Sequence, residues 1–361
     1  MANLSKSEVE NIVEHLRTFP VEEFGSPAWL HQMMNIERLN VCAHHQAMNN
    51  QFEQVVDAIN TFDKAEVLVH ELLAADLWLR NCMKKIEPRF HKLAFGRKFM
   101  CERSPTTILN LLELVVYHPE NISSEALLPL IDYCNTQMAR LIDMDLGDLV
   151  VDEPPEDKRQ IFSVGFSCLS IIWCIASCAD ISLSVTKRLV SDDDVVTTLC
   201  AIIMKQPWRT VKKGKIVKWF NNGELKQLKP AEALRVCTPE AHAWTSLQQL
   251  LEPRCLEMTR WNEHRKNAIL DVDSLITEVL IDQLPPLASL KRAIQYLRVN
   301  EIPEQKFSAV IEQYPDMLVE FGKQRDWKKI SEDAFNRYFN PPLPVLQQEL
   351  MELSEFFEIF Q

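Results

Sequence analysis

The chain has 361 residues, 47% of them hydrophobic and 25% charged, which excludes wholesale disorder and allows a sizeable core. Seven glycines are too few for turn-rich β folds or phosphate-cradling loops, which need glycine for positive φ or close backbone approach. A net charge of −12 repels phosphate backbones from the chain as a whole.

The opening MANLSKSEVENIVEHL has neither the apolar stretch of a signal peptide nor the arginine-rich character of a transit peptide, so a cytoplasmic protein is expected. Ser5-Lys6-Ser7-Glu8 has capping-box spacing, and Val9, Ile12, Val13 and Leu16 form one apolar stripe, which predicts the first helix. Pro20, Gly25 and Pro27 punctuate a turn. Ser26 before Pro27 predicts the N-terminus of a long helix, broken near Asn49-Asn50. Asp63-Lys64-Ala65-Glu66 reads as a second capping box. A basic, aromatic-dotted connector follows over 87–103, and Ser104-Pro105 predicts the start of a new helix that Pro119 stops. Ser123 or Ser124 is expected to cap the next, with Pro129 tolerated in its first turns.

Residues 143–157, DMDLGDLVVDEPPED, read as an exposed acidic loop. It joins halves 1–142 and 158–361 of one continuous helical-repeat domain over 1–361. The stretch 161–179, IFSVGFSCLSIIWCIASCA, carries no charge and is long enough to cross a bilayer. Its four serines, its glycine and the lack of an aromatic belt at both edges favour a helix buried in a helical protein, so no membrane span is expected. Ser184 or Ser191 is expected to cap the following helices, with Asp192-Asp193-Asp194 suited to a helix N-terminus.

The region 208–230 does not read as helix. Runs 216–220 and 224–228 flank Asn221-Asn222-Gly223, the signal of a type I′ hairpin, so a small β-hairpin insertion is predicted over about 211–229. Thr238-Pro239-Glu240 restarts helix, Pro253 breaks it, and Pro285-Pro286 makes a corner. Further helices are predicted around 306–313, 316–321 and 327–339, and after a spacer of Pro341, Pro342 and Pro344. About fifteen helices joined by short loops give an all-α class, an armadillo- or HEAT-like helical-repeat solenoid.

No HExxH, GxSxG, GxxxxGK[ST] or GxGxxG motif occurs, so no enzyme is expected. Ten cysteines stand without a CxxC pair and read as reduced core residues. Cys174 and Cys178 share a helix face with Cys168 near them, but no histidine is close enough to complete a zinc site. His44-His45 point to different faces, and the acidic loop lacks EF-hand spacing. The candidate site is the basic hairpin. Eight cations and a single acid, Glu224, lie between Lys205 and Lys229 in an otherwise acidic chain. Trp208, Arg209, Lys212, Lys213, Lys215, Lys218 and Trp219 are its candidate partner-binding residues. Three readings stay open: aromatics packed inward with wet lysines, an acidic protein partner, or nucleic acid, which the overall charge opposes.

Several short stretches, in order, carry a family resemblance: FPVEEFGSPAW (19–29), LVHELLAADLW (68–78), ILNLLELVVYHPE (108–120), LIDYC (130–134), DISLSVTKRLV (180–190), QPW (206–208), LIDQLPPLASL (280–290) and VIEQYPD (310–316). Together they resemble the zinc finger MYND domain-containing protein 10 family of axonemal dynein assembly factors, in the region N-terminal to the MYND finger. That family's finger uses closely spaced Cys and His, whereas here no cysteine follows Cys255 and no histidine follows His264. The finger is therefore absent from this chain, and zinc, expected only there, is assigned to no residue; no other cofactor is expected. The resemblance implies a non-enzymatic cytoplasmic adaptor or co-chaperone for dynein arm pre-assembly in motile cilia, located also at centriolar satellites and dynein assembly foci. Its implied partners are a leucine-rich-repeat dynein assembly factor, an FK506-binding-type prolyl isomerase, the Hsp90 chaperone, and dynein heavy and intermediate chains. The alternatives are a generic helical-repeat interaction scaffold and a relative of the MYND-bearing lysine methyltransferases, which would need a glycine-rich methyl-donor loop and a β-rich core.

Overall fold

The computed structural model describes residues 4–91, 94–178, 182–220, 224–300 and 314–358. In chain order come α1 (Lys6–Glu14), α2 (Pro27–Met48), α3 (Gln54–Thr61), α4 (Ala65–Trp78), α5 (Lys84–Ile86) and α6 (Phe95–Val115). Then follow α7 (Ser124–Arg140), α8 (Glu156–Ser177), α9 (Leu183–Lys187) and α10 (Val195–Lys205). Strands β1 (Arg209–Lys212), β2 (Lys215–Trp219) and β3 (Leu225–Leu228) interrupt the helices. The chain continues with α11 (Thr238–Leu250), α12 (Pro253–Leu256), α13 (Glu263–Val272), α14 (Glu278–Gln283), α15 (Leu287–Val299), α16 (Asp316–Phe321), α17 (Trp327–Ala334) and α18 (Leu343–Glu358). The all-α class with one small β insertion is what the structure shows.

Contacts group these elements into two compact units. The first comprises Met1–Val115, Asn121–Ala126 and Tyr314–Gln361, and the second Val116–Glu120 and Leu127–Gln313. The acidic segment 143–157 lies inside the second unit, where Leu146 and Leu149 are buried in a 3-10 turn and Lys158 pairs with Asp148 at 2.7 Å.

In the first unit α6 is the centre, packed on α2, α4 and α18. Ser5 and Glu8 close the capping box of α1, and Ser26 accepts from the Trp29 backbone N–H at the start of α2. Two expectations fail here. Asp63 does not cap α4: it turns out of the helix at φ +52°, Lys64 takes the cap position, and no side chain satisfies the first turn. Ser104-Pro105 does not start a helix but lies inside α6. Pro105 has no N–H for the Cys101 carbonyl four residues earlier, and the Ser104 hydroxyl donates to that carbonyl instead at 2.8 Å, so the helix runs on. The part of the basic connector from Phe95 onward is thus the first turns of α6.

The C-terminal helices return to this unit. Phe339 stacks on Trp78 and Phe90, with ring centroids 5.6 and 4.9 Å apart, and abuts Gly25. Gly25 has φ +79°, and a Cβ there would lie 2.7 Å from the Phe339 ring, so the turn demands glycine twice over. Arg97, 3% exposed, donates to the carbonyls of Gly25 (2.9 Å) and Tyr338 (2.6 Å) and pairs with Glu349.

In the second unit α8 packs on α11 and carries residues 161–177 of the uncharged stretch. It is the one described helix long and apolar enough to cross a membrane, and 67% of its apolar window is buried inside the protein. Gly165 lets Leu141 approach, since a Cβ there would meet that side chain at 2.6 Å. Trp173 stacks on His242 of α11 with centroids 4.6 Å apart, and burial pushes the imidazole down to about 4, so it stays neutral. Neither Ser184 nor Ser191 caps a helix: Ser191 donates to the Met258 carbonyl, and Asp194 caps α10 by accepting from the Thr197 N–H at 3.2 Å. The predicted helix at 306–313 and the turn 221–223 lie outside the described residues.

Candidate functional site: the basic sheet

The hairpin predicted from the sequence is a three-stranded antiparallel meander in the order β1-β2-β3. The missed strand, β1, joins β2 through Lys213 (φ +50°) and Gly214 (φ +73°). Two successive positive φ values between paired Lys212 and Lys215 make a two-residue type I′ connection. Lys213 occupies the position where Asn, Asp or Gly is preferred, which hid the turn from sequence inspection.

Register brings Arg209, Lys218 and Lys226 into one row across the sheet, with Val211, Ile216 and Leu228 in the next row of the same face. Like charges placed directly opposite repel. The structure relieves the middle of the row by burying it: Lys218, 2% exposed, donates to Glu240 Oε2 and to the Arg235 carbonyl, both at 2.7 Å. Lys226 pairs with Glu224 at 2.9 Å and lies over the Phe220 ring, as does Arg235. Arg209 donates to Gln206.

The other face packs inward. Trp219 meets Phe166 and Phe162 of α8 at 5.3 and 6.1 Å, and Trp208 is 1% exposed. Three of the seven candidate residues are therefore not a docking surface: Trp208 and Trp219 are core aromatics, and Lys218 is an internal ion-pair partner. Arg209 is half-buried. Lys212, Lys213 and Lys215 are exposed, and so is Val211, on the face of β1 opposite Lys212. Buried tryptophans cannot stack nucleobases, which removes the stacking platform a single-stranded nucleic acid uses.

Elsewhere the structure gathers little that is reactive. Among the described residues no group of three or more His, Cys, Asp or Glu is placed to hold a metal. Cys101 and Cys200 are buried thiols pushed well above their ordinary value, which opposes thiolate chemistry. Glu71 is a buried carboxyl that burial raises, and it accepts from the Phe19 N–H at 2.7 Å and bonds His70, fixing the turn after α1. An open pocket of about 430 Å³ beside that turn is lined by Asn11, His15, Arg17, His31 and Gln32, and Gln32 is already bonded to the Arg17 backbone. Asp132 and Asp193 share Arg188, and burial together with the neighbouring carboxylate raises Asp193. Sequence inspection missed Arg97, Glu71 and this Asp–Arg–Asp group, because Arg97 to Glu349, Glu71 to Phe19 and Arg188 to Asp132 are contacts between distant parts of the chain.

No family model and no solved structure matches the chain. The chain is 28% identical over 331 residues to the zinc finger MYND domain-containing protein 10 homolog of Drosophila melanogaster, a match covering 86% of this chain and 72% of that protein. The ordered motifs and this similarity agree: along most of its length the chain is similar to the zinc finger MYND domain-containing protein 10 homolog.

Proposed function

We propose that the chain is a non-enzymatic cytoplasmic adaptor, a co-chaperone for folding and pre-assembly of the axonemal dynein arms of motile cilia. The observation that carries this reading is the similarity along most of the chain to the zinc finger MYND domain-containing protein 10 homolog. Helices whose buried ionisable groups hold the fold together suit a protein that binds other proteins. The partners are dynein heavy and intermediate chains, a leucine-rich-repeat assembly factor, an FK506-binding-type prolyl isomerase and Hsp90. Zinc belongs to the MYND finger and needs no ligand from this chain. Affinity capture of the tagged protein from ciliated cells tests the reading. Recovery of dynein chains together with Hsp90 is expected; recovery of neither, or turnover of S-adenosylmethionine by the purified chain, overturns it.

A further inference from the structure

We infer that the turn joining β1 to β2, with Lys212, Lys213 and Lys215, is the docking surface for an extended acidic segment of a partner protein. The inference rests on the reading of the chain as a protein-binding adaptor and names a surface and a partner chemistry for it.

Charge complementarity identifies the occupant. The three lysines project at the end of the sheet, and among the described residues no carboxylate lies within ion-pair reach of any of them. Their neighbours in the sheet are treated differently: Glu240 neutralises Lys218 and Glu224 neutralises Lys226. An acidic segment of the same chain does pack beside β1, with Gly147 close to the Thr210 hydroxyl. The two carboxylates flanking Gly147 are engaged elsewhere, since Asp145 accepts from the Gly147 N–H and Asp148 pairs with Lys158. An outside polyanion meets an unneutralised turn in a chain of net charge −12.

Local chemistry supplies a second, independent argument. A lysine at left-handed φ and two lysines directly opposite each other both weaken a type I′ hairpin, and an Asn-Gly pair would serve the backbone better. Residues that oppose local stability without compensation inside the fold mark a surface shaped for something outside it. With both tryptophans buried, the surface fits carboxylates on a peptide better than bases on a nucleic acid.

Fluorescence anisotropy on the full chain tests this, with a labelled decapeptide of glutamates and a labelled ten-nucleotide single-stranded DNA as probes. The peptide is expected to bind, more weakly as salt rises, and the K212Q/K213Q/K215Q variant to bind it about tenfold more weakly. K213N, which creates an Asn-Gly turn, is expected to raise the melting temperature by about 1–3 °C while weakening peptide binding. Equal peptide affinity in wild type and triple variant, no peptide binding, or tighter binding of the DNA overturns the inference. Intact capture of dynein chains without peptide binding overturns the turn assignment alone. Lost capture with lysine-dependent peptide binding overturns the adaptor reading and supports the turn.

Discussion

Arg97 shows what a buried charge does in this fold. Its guanidinium ties a turn at Gly25 to the Tyr338 carbonyl and Glu349 of α18, two points near the other end of the chain. Removing one partner of a buried ion pair leaves the other uncompensated, so Arg97→Ala is expected to cost ~3–5 kcal/mol in a urea titration. Ser104→Ala is subtler: it leaves the Cys101 carbonyl without a donor beside Pro105 and should cost ~1–3 kcal/mol. A loss near zero would mean that water replaces the hydroxyl. Asp193 makes a prediction about pH. Its carboxyl is raised in the folded chain by burial and by Asp132, with Arg188 opposing. The folded chain then holds a proton that the unfolded chain releases. The associated stability is full below the ordinary aspartate value and is lost as pH rises through the raised one. Asp193→Asn should flatten the slope of stability against pH across that window, and an unchanged slope would assign it to other groups.

Among the elements, α8 tests how far apolar composition alone can mislead. The uncharged residues 161–177 that it carries satisfy a bilayer's length, yet Phe162 and Phe166 pack on Trp219, Gly165 on Leu141 and Trp173 on His242. Gly165→Leu should overpack against Leu141 and destabilise by ~1–3 kcal/mol, read as a lower denaturation midpoint with an unchanged helical spectrum. The starts of α1 and α2 were legible from the sequence, because Ser5 with Glu8 and Ser26 with Pro27 carry their chemistry within four residues. The unbroken run of α6 was not: Ser-Pro commonly opens a helix, and only the bond from Ser104 to Cys101 shows why it does not here. The sheet was half legible. Alternation and Asn222-Gly223 pointed to β2 and β3, whereas Lys213 in a left-handed turn gave no conventional sign of β1. Of the candidate site, charge identified the right segment. Composition could not tell Lys212, Lys213 and Lys215, which are exposed, from Lys218, which Glu240 holds inside.

At the scale of the molecule, the first unit is closed by the chain's own C-terminal helices, and no local pattern in a sequence announces a contact spanning some 250 residues, such as Arg97 with Glu349. A chain ending at residue 313 should therefore expose Trp78, Phe90 and Gly25 where Phe339 packs, and should aggregate or lose cooperative unfolding of that unit. If instead the shortened chain melts like the whole one, the C-terminal helices are dispensable to the first unit. The similarity to the zinc finger MYND domain-containing protein 10 homolog gives the whole molecule its proposed role, and that role makes the sharpest demand. The direct measurement is the amount of dynein heavy and intermediate chains in the cytoplasm of cells building motile cilia, after removal of this protein and after its return. The account predicts that both dynein chains fall on removal and recover on return; dynein chains that stay at their normal level and still reach the axoneme would contradict it.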